Sequence, residues 1–297
     1  MRSLTVRVPT LNDESWDFDR LFRLWADLNR DELGVAFDFS SCEFLRPNAV
    51  AFLGGLSRMV EHRGGCVEFL WSTMQNRIQM NLKQNGFAES FGGGTGPWLG
   101  HSIPYREDRL RDDSRIAGYL RKFWLGRGWV NVSEKLRGAI VGRLLEIYDN
   151  AFIHAESPIG VFSCGQHFWN LKQLKLAVVD FGVGIPSNVR MFLAFRDPKA
   201  LSMSAEKCLD WAFRPGTTTK PNGTSRGSGL DLLKNFIIVN KGHMEVFSHE
   251  GYGRIDGNGE SYSNRGMAFE GTLFNITLRC DESYYQLASE AHGKPLF

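Results

Sequence analysis

Short apolar runs and one helical stripe set out the first third of the chain. Val35-Ala-Phe-Asp-Phe39 and Cys66-Val-Glu-Phe-Leu70 read as strands. Between them, residues 49–62 carry Val50, Leu53, Leu56, Met59 and Val60 on one helical face. Strand, helix and strand in this compass predict a small α/β unit with a parallel sheet. Residues 86–104 are rich in glycine and proline and read as a boundary. Helical material is predicted near 112–125. A long amphipathic helix follows from about Val132 to Ala155, with Ser133 as N-cap and Leu136, Ile140, Leu144, Ile147, Tyr148 and Ala151 on its apolar face. Beyond it the pattern predicts strands at 159–163 and 174–180 and a helical region at 187–212. A polar stretch from Arg214 to Gly229 comes next, then a helix at 230–240 and strands at 243–248 and 272–278. No internal repeat is visible.

These elements divide the chain into residues 1–90, a linker with a connecting helix at 91–130, a second unit at 131–280 and a tail at 281–297. The 297 residues suffice for two ordinary domains. With 42% hydrophobic and 23% charged residues the composition is that of a globular protein. The net charge of +2 gives no bulk attraction to nucleic acid or anionic membrane, and neither is expected as a partner. Arginines crowd residues 106–143, but interleaved acids favour a solvated helical face over a docking surface. The five cysteines (42, 66, 164, 208, 280) are odd in number and widely spaced. Buried reduced thiols are expected, not a zinc site or disulfide framework. The N-terminus lacks an apolar core and no run approaches a membrane span, so the expected location is cytoplasmic.

Candidate chemistry begins at Ala177-Val-Val-Asp-Phe-Gly-Val-Gly-Ile-Pro186. An apolar strand ends there in an acid and two spaced glycines. A protein-kinase metal site would need a catalytic-loop Asp upstream, and no such segment exists. A dinucleotide-binding turn would need a third glycine. A tight turn after a strand remains possible. The motif has company, however. Glu146-Ile-Tyr-Asp-Asn150-Ala-Phe-Ile-His154 lies on the long helix, with Glu146 and Asn150 on one face and Asp149 turned away. Phe213 to Leu230 includes Thr219-Lys220 and Gly227-Ser228-Gly229, and Phe269-Glu-Gly-Thr272 comes later.

In this order, the four elements resemble the nucleotide pocket of the GHKL superfamily, which includes gyrase B subunits, heat-shock chaperones, MutL-type repair proteins, histidine kinases and anti-sigma-factor serine kinases. The resemblance covers about residues 130–280. It implies a GHKL (Bergerat) α/β sandwich with a mixed sheet and helices on one face. It also implies ATP and Mg²⁺ as cofactors. Asp180 would accept a hydrogen bond from the exocyclic amine of adenine, where guanine presents a carbonyl; Thr272 would complete the adenine contacts. Gly182 and Gly184 would let backbone approach the purine, beside Ile185. Asn150 would hold Mg²⁺, and Glu146 would act as general base on water or a protein hydroxyl. His154 has a phosphate-side or a structural role. Arg214–Arg226 would be an ATP lid, with Thr219 and Lys220 towards phosphate. Gly227, Ser228, Gly229 and Leu230 would offer backbone N–H groups at a helix start. Where the family commonly has glycine, this chain has Asp231, an acid beside a triphosphate unless Mg²⁺ or Lys220 offsets it. The chain ends at Phe297, so no transducer domain is expected after Leu278.

The first unit resembles a STAS domain, through Phe37-Asp-Phe-Ser-Ser-Cys-Glu-Phe-Leu-Arg-Pro-Asn48 and the helix after it. The family's phosphorylated serine falls where this chain has Arg46-Pro47-Asn48-Ala49, so no phosphoswitch is expected there. No heptad hairpin carries His62 or His101, which argues against a sensor histidine kinase. Two readings remain. One is an ATPase or a protein serine/threonine kinase in a signalling role. The other is a non-catalytic, ATP-gated interaction switch. A protein partner is expected, through the STAS-like unit or the lid, and a homodimer is possible.

Overall fold

The computed structural model describes residues 2–94, 96–217 and 229–290. The chain opens with β1 (Arg2–Arg7), α1 (Ser15–Leu28), β2 (Leu33–Asp38), α2 (Pro47–His62) and β3 (Cys66–Phe69). Their strands form a parallel sheet in the order β1-β2-β3. Pro47 opens α2, where a missing N–H costs nothing. The sequence pattern gives α2 one apolar face, yet residues 47–57, Met59 and Val60 are all buried. A helix buried all round lies between two layers, and α2 packs on β3 on one side and on two later strands on the other. β1 and α1 were not predicted, although Phe18, Leu21, Phe22 and Leu28 give α1 a buried helical stripe.

Then come α3 (Asn76–Gln84), α4 (Phe87–Ser90), β4 (Ser102–Asp108) and α5 (Asp113–Tyr119), which runs into a π-helical turn at Leu120–Trp124. β4 thus forms within the stretch read as boundary and linker. The remainder is β5 (Asn131–Val132), α6 (Glu134–Ile153), β6 (Val161–Phe168), β7 (Gln173–Asp180), α7 (Gly184–Ala194), α8 (Ala205–Phe213), α9 (Gly229–Val239), β8 (His243–Asp256), β9 (Gly259–Arg279) and β10 (Tyr284–Tyr285).

The larger sheet runs β4-β6-β7-β9-β8, and every pairing in it is antiparallel. The expected mixed sheet is therefore corrected. β6 with β7 and β8 with β9 are joined by short turns, which force neighbours to run in opposite directions. Alternate residues bury both faces of this sheet. Leu174, Leu176 and Val178 enter a core with α6 and α9 residues such as Ile140, Leu144 and Leu233. Ala177 and Val179 enter a second core with Phe22 of α1 and Phe52 of α2. The first unit thus forms the second cover of the sheet. Arg265 of β9 fastens it, donating to the Ser15 carbonyl at 2.7 Å and to Asp19 at 2.7 Å.

Among the arginines of residues 106–143, Arg106 pairs with Asp108, Arg111 with Asp113 and Asp149, Arg137 with Glu134 and Arg143 with Glu146. No disulfide forms among the cysteines; Cys66 is exposed and Cys280 half-buried, against the expectation of buried thiols. Among the described residues no helix is long and apolar enough to cross a membrane.

Candidate functional site

The Ser133 hydroxyl caps α6 by accepting from the Leu136 N–H at 3.0 Å. With Leu136, Ile140, Leu144 and Ile147 held in the core, the next stripe faces open space. Glu146, Asn150 and His154, four residues apart, line a pocket there with Ile147 and Ala151. Asn150 is exposed. Glu146 is ion-paired with Arg143, one turn earlier, at 2.8 Å. Asp149 points elsewhere and pairs with Arg111 at 2.9 Å. His154 ends α6, and its carbonyl accepts from the Asn188 amide at 2.8 Å, tying α7 to α6.

Asp180 ends β7, and Thr272 lies directly opposite it on β9. Both line the pocket and both are buried. Asp180 Oδ1 accepts from the Gly182 N–H at 3.0 Å. Burial raises the Asp180 carboxyl to about 7, against the pull of the Gly182 and Thr272 backbone N–H groups. Ser248 of β8 anchors the surroundings. Its hydroxyl donates to the Gly271 carbonyl at 2.9 Å, accepts from Ile185 N–H at 2.9 Å and lies 3.2 Å from the Thr272 hydroxyl.

The two glycines divide the work differently from expectation. Gly182 does not line the pocket; a side chain there would strike the Ala155 carbonyl. That carbonyl belongs to the backbone just past α6 and accepts from Val183 N–H at 2.7 Å. Gly184 does line the pocket, with a left-handed φ of 72°. A β-carbon there would meet the Glu270 carbonyl, and Ser248 Oγ at 2.7 Å.

Ile185, Leu230, Trp211, Ala212 and Phe213 close further walls. Asp231 also lines the pocket, in the first turn of α9, 3.5 Å from Lys234 Nζ. Lys234 is buried and bonds the Phe213 carbonyl at 2.8 Å and Glu260 at 2.7 Å. Its charge offsets Asp231 from within the same helix, a partner the sequence reading missed despite the i, i+3 spacing. Gly229 opens α9. Thr219, Lys220, Gly227 and Ser228 lie outside the described residues. Asn188 and Trp211 were also missed; Asn188 falls four residues after Gly184, a helical repeat that could have shown it.

The pocket has an empty volume of about 1080 Å³, open space at its mouth included. The chain matches no protein-family model, and no curated protein matches it. The geometry alone therefore bears on function. Apolar walls surround a buried carboxylate at the end of β7 and the Thr272 hydroxyl across from it on β9; Thr217 also lines the pocket, as do three acids but no Lys or Arg among the described residues. Such a site can hold a flat, largely apolar ring whose edge carries a hydrogen-bond donor.

Proposed function

We propose that this pocket binds an adenine nucleotide. The observation that carries the reading is Asp180, a carboxylate buried at a strand end, facing the pocket and directly opposite Thr272. A buried carboxylate is costly unless it finds donors. The exocyclic amine of adenine is such a donor, and the carbonyl of guanine is not. Ile147, Ala151, Ile185 and Phe274 supply apolar contact for the base.

The oxygen donors Asn150, Glu146 and Asp231 line the same pocket. They suit Mg²⁺, a hard cation that takes few protein ligands. No group of three His, Cys, Asp or Glu side chains able to hold a metal occurs among the described residues. In this reading Asn150 is the protein ligand of the ion, and phosphate and water complete its shell. When bound, the ion would neutralise phosphate charge in a pocket lined by acids.

In the enzymatic reading, Glu146 takes a proton from water or from a partner's serine or threonine hydroxyl as that oxygen attacks the terminal phosphorus of ATP, and the bond from that phosphorus to the bridging oxygen breaks so that ADP leaves with the electron pair. The alternative is an ATP-gated interaction switch, which the Arg143–Glu146 pair at 2.8 Å favours by occupying the carboxylate. Measuring Mg-ATP binding and phosphate release, with Glu146→Ala as control, tests both. The enzymatic reading expects unchanged binding and lost turnover in the variant. Binding without Glu146-dependent release or transfer leaves the switch. Asp180→Asn removes ATP binding in either case, and unchanged affinity overturns the adenine pocket.

A further inference from the structure

The two residues that end the strand turn in opposite directions. Asp180 faces the pocket, whereas Phe181 enters the core shared with the first unit. Its ring lies 5.3 Å from the Phe52 ring of α2, 6.1 Å from Phe162 of β6 and 5.2 Å from Phe269 of β9. The fourth side of this cage is Gly55 of α2, where a β-carbon would overlap the Phe181 ring and come within 2.8 Å of Phe162. Gly55 leaves a notch in α2, and the Phe181 ring fills it.

We infer that Phe181 is a positioning residue for Asp180, and that the notch at Gly55 makes α2 of the first unit part of the adenine site. The two residues share a peptide bond, so a ring fixed by α2, β6 and β9 fixes the carboxylate on the other side of the backbone. Gly271 adds a second constraint, for a β-carbon there would run into the Asp180 carbonyl. Close packing leaves few alternative places for the ring. A displacement of α2 moves Phe181, and Asp180 with it. Whatever binds the first unit and shifts α2 therefore alters adenine recognition, and an adenine ligand in turn restrains α2.

This inference rests on the adenine-nucleotide reading, and the experiment separates the two. Mg-ATP and Mg-GTP affinities are measured from pH 5.5 to 8.5 for the full chain, Phe181→Leu, Gly55→Ala, the double variant and Phe87→Leu. Phe87 is equally buried in the same core but packs on Phe69, Phe91 and Tyr105. It therefore controls for general loss of core packing. Phe181→Leu should lower the preference for ATP over GTP at least ~10-fold and shift the pH midpoint of ATP binding, as expected when an aimed hydrogen-bonding group is misplaced. Phe87→Leu should leave both unchanged. Gly55→Ala should act like Phe181→Leu, and the double variant should regain selectivity because the smaller side chain clears the new methyl. A full chain that binds no adenine nucleotide overturns the pocket assignment. A full chain that binds ATP selectively, with selectivity and midpoint unmoved in Phe181→Leu, overturns only the positioning role.

Discussion

Asp180 is held in conflict with its own stability. Its carboxyl is raised from 3.8 to about 7 by burial, so the folded protein binds this proton more tightly than the unfolded chain does. The stability it lends is therefore complete below pH ~4 and lost as pH rises to ~7. The proposed nucleotide recognition should run the other way, because the ionised carboxylate is the stronger acceptor for an amine. If the pocket takes an adenine nucleotide, ATP affinity should rise about fivefold between pH 6 and 7 and about twofold more before levelling off above pH ~8, as titration calorimetry would show. Asp180→Asn should remove binding yet raise unfolding stability at pH 8 by about 2–4 kcal/mol in urea denaturation. A variant that is no more stable at pH 8 would mean the carboxyl is not strained. Ser248→Ala is a second test at this scale. It removes the hydroxyl that the Ile185 N–H and the Gly271 carbonyl both bond, and should cost about 1–3 kcal/mol.

At the scale of elements, the site depends on a joint between the end of α6 and the turn after β7. The Ala155 carbonyl, the Asn188 amide and the two glycines pack that joint. Gly184→Ala combines a positive φ of 72° with a clash against backbone. It should lower stability by about 2 kcal/mol or more, read from the urea midpoint. Much of this was legible in sequence. The cap at Ser133, the α6 stripe and the acid ending β7 are local signals, and local periodicity finds them. The register that sets Thr272 opposite Asp180 and Ser248 beside it was not legible, because it joins positions far apart in the chain. What packs against Gly182 was not legible for a related reason. A glycine in a turn announces that something approaches closely, not what approaches.

Across the whole molecule, the least legible feature was that one core unites the first unit with the sheet. α2 reads as a helix with one apolar face when only its periodicity is considered. That it is buried all round follows from β6 and β7, more than a hundred residues downstream, lying against it. Deleting residues 1–90 would uncover Phe162, Val179, Phe181 and Leu273 together. The remaining chain should be insoluble or lack cooperative unfolding by circular dichroism. A soluble, cooperatively folded and ATP-binding fragment would show that the second half is self-sufficient.

The bond from Arg265 to α1 also has a meaning for synthesis. Ser15 and Arg265 are 250 residues apart. At ordinary translation speeds, roughly 12–50 s separate their emergence from the ribosome. During that interval Phe18 lacks Phe247 of β8 and Phe22 lacks Phe269 of β9, and the nascent chain carries an uncovered aromatic surface. Until β8 and β9 emerge, that surface is open to other chains, and the pocket does not yet exist.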